Sequence, residues 1–192
     1  MSSETKPMRG SRSNLMSEDL FWEIIEKTKA DDPQDQLDNL VALLSTMTVD
    51  DIFGFDYRLD KFLEQSYGSD LWAAAFIICG GCSDDSFDYF RAWLISKGRS
   101  VFERTIENPD SLIEFFSDID NSDFPENEEI LYAALDAYEE VTGKDDFYDV
   151  LDTFDDDFSI LEIELTWDED DPKTLEAVCP ELFERYYEDP FY

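Results

Sequence analysis

The chain has 192 residues, of which 43% are hydrophobic and 15% aromatic, so it is long enough and apolar enough to bury a core. It carries 49 acidic residues, 14 basic residues and no histidine, which gives a net charge of −35. The missing histidine excludes Ser-His-Asp and Cys-His catalysis. The charge disfavours direct binding to nucleic acid or to an anionic membrane, and it favours basic protein partners.

The acidic residues are concentrated late in the chain. Residues 105–192 hold 30 acidic residues and three basic ones, Lys144, Lys173 and Arg185. In the stretch DDFYDVLDTFDDDF the acids alternate with aromatic and aliphatic residues, a spacing typical of the exposed faces of amphipathic helices and unlike that of a disordered segment. A surface whose charge serves only solubility is the alternative interpretation.

Residues 1–16 are polar and lack the apolar run of a signal peptide, so we predict a disordered tail there and a single helical domain over residues 17–192. The longest apolar stretch, Leu71 to Cys79, is too short to span a bilayer. The three cysteines follow no disulfide framework. Together these features predict a cytoplasmic protein.

Helix-start signals recur in chain order. Ser17 is placed to cap the first helix, and Asp32 before Pro33 is placed to cap the second. Thr48 and Asp51 form a capping-box pattern at the start of a third helix. Residues 69–79 are apolar on all sides, which predicts a central buried helix that ends at Gly80 and Gly81.

Further helix starts follow in the second half. Ser83 is placed to cap a helix, and Ser100 with Glu103 predicts a capping box for the next one. A helix is predicted from about residue 126 to residue 141, ending at Gly143. Residues 161–167 alternate like a strand but have no evident partner strand, so we expect an extended segment laid over helices. Residues 172 and 180 are prolines that open the last two segments. The predicted fold class is all-α and compact.

The stretch from residue 69 to residue 112, SDLWAAAFIICGGCSDDSFDYFRAWLISKGRSVFERTIENPDSL, resembles a bacterial family of unknown function numbered 4240, whose pattern is DLWGAAYIINGGCSDDGFxYFRxWLIxxGRxVFxxAxxNPDSL. FWEII near the N-terminus, AYEEVTG and WDEDDP are similar to further segments of that family, so the resemblance extends over about residues 17–185. It implies a compact, mainly helical bacterial domain and no known activity. Cys79 and Ser86 depart from the pattern, which has Asn and Gly at those positions.

The pair Cys79 and Cys82 forms a Cys-x-x-Cys motif. Redox pairs of this kind lie at a helix N-terminus, whereas Cys79 is predicted at a helix C-terminus, where the helix dipole disfavours a thiolate. With Cys179 as the one other cysteine and no histidine, four N or S ligands for zinc are not available. We interpret Cys79 as an apolar residue beside a turn.

Two acidic clusters are candidate binding sites. Asp84, Asp85, Asp88 and Arg91 lie at helical spacing after Ser83, which suits either a structural ion-pair network or a site. The second cluster consists of Asp155, Asp156 and Asp157.

The stretch DIDNSDFPENEE was compared with a calcium-binding loop. It places Asp118, Asp120 and Glu129 at ligand positions, but Asp123 replaces the glycine that the sharp turn needs. We therefore predict no cofactor and keep Ca²⁺ or Mg²⁺ at these three carboxylates as the alternative.

The leading hypothesis is a non-enzymatic acidic module that binds a basic protein surface, such as that of a nucleic-acid-binding protein, as an inhibitor, an immunity protein or a DNA mimic. Aromatic residues near the C-terminus were the expected contact points, namely Tyr186, Tyr187, Phe191 and Tyr192. The alternatives are a carboxylate- or divalent-cation-dependent enzyme of unknown reaction, and an accessory regulatory domain whose charge serves solubility.

Overall fold

The all-α prediction is confirmed by a computed structural model, which describes residues 9–116, 124–156 and 162–191. Across these ranges there are eleven α-helices, three short 3₁₀ helices and no β-sheet. The 3₁₀ helices span Arg12–Asn14, Pro109–Ser111 and Glu129–Tyr132. The α-helices are α1 (Glu18–Thr28), α2 (Pro33–Leu44), α3 (Val49–Gln65), α4 (Ser69–Cys79), α5 (Asp84–Ser96), α6 (Arg99–Glu107), α7 (Leu112–Phe116), α8 (Ala133–Thr142), α9 (Phe147–Leu151), α10 (Pro172–Val178) and α11 (Pro180–Tyr186).

Most of the predicted helix caps form as expected. The Ser17 hydroxyl accepts a hydrogen bond from the Leu20 amide at 3.2 Å, and Asp32 accepts one from the Gln34 amide at 2.8 Å. The Thr48 hydroxyl accepts from the Asp51 amide at 3.2 Å while the Asp51 carboxylate accepts from the Thr48 amide at 3.1 Å, as in a capping box.

Two predicted helix starts are wrong. The helix predicted with Ser100 as its N-cap begins two residues earlier, with Gly98 as the N-cap, because Gly98 has a φ of 91° and turns the chain directly into α6. The helix predicted over residues 126–141 is divided into a 3₁₀ turn and α8. The Asn127 side chain accepts from the Ile130 amide at 3.2 Å and so starts the 3₁₀ turn.

The described residues fall into two compact units. The first comprises residues 9–61 and 131–156, and its core includes α1, α2, α8 and the first part of α3. Aromatic rings fill this core: Phe21 stacks on Phe55 with centroids 4.9 Å apart, and Phe53 stacks on Phe147 at 5.1 Å.

The second unit comprises residues 62–116, 124–130 and 162–191. Its central element is α4, which is buried along most of its length, as predicted, and packs against α5, α10 and α11. Trp72 of α4 stacks on Phe87 at 4.7 Å, and Trp93 stacks on Phe116 at 5.4 Å. The prediction that residues 17–192 form a single domain stays a prediction.

Residues 9–16, assigned from the sequence to a disordered tail, lie against α3 in the first unit. Arg12 is only 3% exposed. Gly54 of α3 permits this approach, because a Cβ at that position would come within 2.8 Å of the Met16 Cβ. The polar composition of this segment suggested disorder, but one of its polar residues, Arg12, is a buried cation. The carboxylates that pair with Arg12 lie far along the chain.

The segment predicted to be extended, residues 162–167, lies against the start of α4 in the second unit. The Thr166 amide donates to the Ser69 hydroxyl at 2.8 Å, and the Trp167 indole donates to the Ser69 carbonyl at 2.9 Å. These side-chain contacts replace the partner strand that the alternation suggested. None of the helices in the described ranges is both long enough and apolar enough to cross a bilayer.

Candidate functional site

The two sulfurs of the Cys-x-x-Cys motif lie in the turn from α4 to α5. Burial raises the pKa of Cys79 above its usual range, and it raises the pKa of Cys82 to about 12, although the charge of Arg91 acts in the opposite direction on Cys82. Both groups are therefore protonated thiols at neutral pH. This environment disfavours the thiolate that redox or metal chemistry needs.

The first predicted acidic cluster is distributed over the first two turns of α5. The Ser83 hydroxyl accepts from the Ser86 amide at 3.3 Å and caps the helix. Asp84 and Asp85 are exposed in its first turn, where carboxylates stabilise the helix dipole. Asp88 is half exposed and accepts a hydrogen bond from Arg91.

Arg91 has an internal role in this cluster. Its side chain is only 7% exposed, and its guanidinium donates to the Leu63 carbonyl at the end of α3 as well as to Asp88. The guanidinium also lies over the rings of Tyr67 and Phe87, at 4.9 and 5.0 Å. Burial lowers the pKa of Arg91 even though Asp88 stabilises its charge. The structure therefore joins α5 to the end of α3 with Arg91 and leaves Asp84 and Asp85 facing solvent.

The second predicted cluster is divided in a similar way. Asp155 is exposed, whereas the Asp156 side chain is only 6% exposed. Asp156 accepts hydrogen bonds from the Arg12 amide at 2.7 Å and from the Ser11 hydroxyl at 2.9 Å, and it also pairs with the Arg12 guanidinium. Asp157 lies outside the described residues. Asp156 thus fastens the N-terminal segment.

Arg12 is the centre of a carboxylate cluster that the sequence analysis missed. Its guanidinium pairs with Asp56 and lies 3.5 Å from Asp60, one turn further along α3. Burial and the charge of Asp56 raise the pKa of Asp60 to about 7, against the effect of Arg12. Burial also raises the pKa of Asp56. Burial acts in the same direction on Asp156, but the bonds from Arg12 and Ser11 outweigh it and lower that pKa.

Two exposed tyrosines of the same unit are close to this cluster. Tyr132 is 44% exposed and Tyr148 is 57% exposed. The covered part of the Tyr148 ring raises its pKa, and the neighbouring Asp56, Tyr132 and Asp60 raise it further. Asp152 follows Tyr148 by one helical turn, and its amide donates to the Tyr148 carbonyl at 3.0 Å.

We call the surface formed by Asp60, Tyr132, Tyr148 and Asp152 the acidic aromatic face. It joins exposed π surface to carboxylates, of which Asp60 has a side chain that is 42% exposed. The sequence signal that could have located it is the run of residues 131–156, where three tyrosines lie among acidic residues, although one of the three, Tyr138, is buried. That range contains nine acidic residues and one basic residue.

The C-terminal aromatic residues expected to be contact points are mostly internal. Tyr186 is 2% exposed and Phe191 is 1% exposed. The Phe191 amide donates to the Ile78 carbonyl of α4 at 2.8 Å, and this bond fastens the last described residues to the helix. Tyr187 is half-buried and stacks on Phe183, and Tyr192 lies outside the described residues.

The carboxylates considered for Ca²⁺ or Mg²⁺ are tested only in part. Glu129 is exposed at the start of a 3₁₀ helix, whereas Asp118 and Asp120 lie outside the described residues. In the ranges that the structure describes, no group of three or more Cys, Asp or Glu side chains is arranged to hold a metal ion.

Comparison with protein families shows which family the chain belongs to. The model of a family described as a protein of unknown function (DUF4240) matches residues 16–140, which is more than half of the chain. The chain belongs to this family. The match includes α1 to α7 and most of α8, and thus Asp60, Tyr132 and the predicted cluster of α5, whereas Arg12, Tyr148 and Asp156 lie outside it. No curated protein and no solved structure matches the chain.

Proposed function

We propose that the protein is a non-enzymatic interaction module that binds a basic protein surface, as an inhibitor, an immunity protein or a DNA mimic does. The observation that carries the proposal is the acidic aromatic face. Tyr148 exposes its ring close to Asp56 and Asp60, and the exposed ring of Tyr132 lies close to Tyr148.

This combination suits a cationic partner for two physical reasons. Dense carboxylates accelerate the encounter with a basic surface and select against acidic proteins. Exposed tyrosines then supply the apolar contact area from which most binding energy at protein interfaces comes. Lysine and arginine side chains can use both features at once, because a cation is attracted to an aromatic face as well as to a carboxylate.

The acidic aromatic face keeps a negative charge, because the guanidinium of Arg12 is shared among Asp56, Asp60 and Asp156. In the same unit Lys27 and Lys29 pair with Glu23 and Glu26 on α1, and Arg9 pairs with Asp50. These three basic side chains neutralise acidic side chains within the first 50 residues of the chain. Between residues 131 and 156 there are nine acidic residues and a single basic one, Lys144.

The state of Asp60 gives the proposal a pH signature. With its pKa raised to about 7, this carboxyl group is partly protonated at neutral pH. A partner cation placed beside it lowers that pKa and releases the proton. Binding should therefore strengthen as the pH rises from about 6 to about 8.

The test is affinity capture from the native host with the full chain as bait, at about 50 mM and at about 500 mM salt. The variant bait carries Asp60→Asn and Tyr148→Ala. The control carries Asp31→Asn and Val141→Ala, which remove one exposed carboxylate and one exposed apolar side chain elsewhere in the unit. Circular dichroism verifies that both baits remain folded.

We expect a basic protein that the wild type and the control retain at low salt and release at high salt, and that the variant retains about tenfold less. Competition between duplex DNA and the protein for the captured partner then distinguishes a DNA mimic from an inhibitor or an immunity protein. Equal retention by the variant and the control would show that the acidic aromatic face is not the interface. Absence of any enriched basic protein would refute the proposed function itself.

A further inference from the structure

An aromatic groove of about 430 Å³ opens in the second unit, on the surface of α4. Its walls come from α4, from the turn after it and from the extended segment before α10. The lining residues are Trp72, Phe76, Cys82, Leu165, Trp167, Asp168 and Glu169. The volume lies within the range of sites that hold a small ligand or one large side chain.

The aromatic walls are fixed in place. Trp72 stacks on Phe87, and its indole N–H donates to the Cys82 carbonyl at 3.0 Å. The Trp167 indole N–H donates to the Ser69 carbonyl at 2.9 Å, and its ring lies 5.2 Å from that of Phe76. Trp72 and Trp167 are each 8% exposed, and both indole N–H groups are already used, so what the two rings offer to an occupant of the groove is the accessible part of their carbon surface.

The acidic rim is also held rigidly. The Asp168 amide donates to the Thr174 hydroxyl at 2.8 Å, and the Asp170 amide donates to the Asp168 carboxylate at 3.0 Å. A backbone bond from the Asp171 amide to the Asp168 carbonyl closes the turn. The turn that carries Asp168 and Glu169 is thus tied to the first turn of α10.

The charge of the groove selects its occupant. Residues 162–172 include six acidic residues and no basic one, and the lining itself contains two carboxylates and no cation. A neutral apolar ligand would strip water from these carboxylates without replacing it, which costs free energy. An anion would be repelled. A cation is attracted both by the carboxylates and by the faces of the tryptophans.

Among protein cations the guanidinium group fits this site best. It is planar and weakly hydrated, stacks on aromatic rings and forms paired hydrogen bonds with carboxylates, whereas an ammonium group is compact and strongly hydrated. We infer that the groove bounded by Trp72, Phe76 and Trp167 binds an arginine side chain of a basic protein partner. The inference rests on the proposed function for the existence of that partner, but the site is separate from the acidic aromatic face.

The test is a titration of the full chain with a short peptide in which one arginine is the sole charged side chain. Binding is monitored by NMR through the indole N–H signals of the four tryptophans. The same peptide with citrulline, which keeps the shape but not the charge, is the ligand control, and a lysine peptide is the third probe. Trp22 and Trp93 report on the rest of the molecule, because both are buried and neither lines the groove.

We expect saturable shifts at Trp72 and Trp167 with the arginine peptide, and affinity at least about tenfold weaker for citrulline. The double variant Asp168→Asn and Glu169→Gln should bind the arginine peptide about tenfold more weakly. Asp170 is exposed and adjacent but does not line the groove, so Asp170→Asn should change the affinity by less than about twofold. Tighter binding of lysine than of arginine would overturn the assignment to guanidinium.

The inference and the proposed function fail in distinguishable ways. Equal shifts with arginine and citrulline, or shifts spread equally over Trp22 and Trp93, would overturn the groove as a cation site. Neither result would affect capture of a basic protein through Tyr148. Conversely, if affinity capture finds no basic partner, the peptide titration of the groove can still be interpreted by itself.

Discussion

Asp110 lies in the stretch NPDSL and caps a helix that starts seventy residues later in the chain. Its side chain is 8% exposed, and its two carboxylate oxygens accept hydrogen bonds from the Glu181 amide at 3.0 Å and from the Leu182 amide at 2.8 Å. These are amides of the first turn of α11. Cys179, which precedes α11, makes no side-chain cap bond of its own.

The cost of removing this carboxylate follows from the two bonds. A lost N-cap costs about 1 kcal/mol, and a buried amide left without an acceptor costs about 1–3 kcal/mol. The Leu182 amide is buried, whereas water can reach the partly buried Glu181 amide, so one full penalty applies. Asp110→Ala should therefore lower the free energy of unfolding by about 3 kcal/mol, and Asp110→Asn by about half of that, because Asn keeps one acceptor oxygen.

Urea unfolding followed by circular dichroism measures the change, and the expected shift of the melting temperature is about 6–12 °C for a chain of this size. Glu184→Gln, which removes an exposed carboxylate from the same helix, is the matched control and should cost less than about 0.5 kcal/mol. Hydrogen exchange should accelerate at the Glu181 and Leu182 amides. If Asp110→Ala proves no more destabilising than the control, the capping argument is wrong.

Three further predictions concern buried ionisable groups. Arg12→Met leaves buried carboxylates without their cation and should cost about 3 kcal/mol in urea unfolding. Arg9→Met breaks an exposed pair with Asp50 and a contact with the Phe154 ring and should cost about 1 kcal/mol or less. With the Asp60 pKa raised to about 7, the folded state binds more protons than the unfolded state between about pH 4 and about pH 7, so stability falls as the pH rises across that window. After allowance for its exposure, Asp60→Asn should gain about 1 kcal/mol relative to the wild type at about pH 8 and nothing at about pH 4; equal effects at both values would contradict the assignment. The thiols of Cys79 and Cys82 should react with a thiol reagent at about pH 8 more than about tenfold slower than free cysteine, and rapid labelling of either would contradict their burial.

The predicted binding clusters show why a list of acidic residues is a poor guide to a site. Arg91 and Asp156 each belong to a cluster named from sequence as a candidate binding site, yet each side chain is buried and bonded inside its unit. Asp84, Asp85 and Asp155 from the same clusters face solvent. Spacing along a helix predicts which residues are neighbours, but not whether another segment covers them.

The sequence by itself determined the features that depend on interactions over a few residues. Caps at Ser17, Asp32 and Ser83 were predictable, because a side chain bonds to an amide two or three positions further on. The burial of α4 was predictable as well, because a helix that is apolar on every side has no face to turn to water. The all-α fold class and the family both follow from such local patterns.

Only the tertiary structure decided which distant side chains meet. Arg12 pairs with carboxylates 44 and 144 residues away, and Asp110 accepts a hydrogen bond from an amide 71 residues away. Trp72 and Trp167 form one groove although they are far apart in the chain. In a chain with 49 carboxylates each cation has many possible partners. The choice among them depends on burial and distance after folding, and local sequence carries neither.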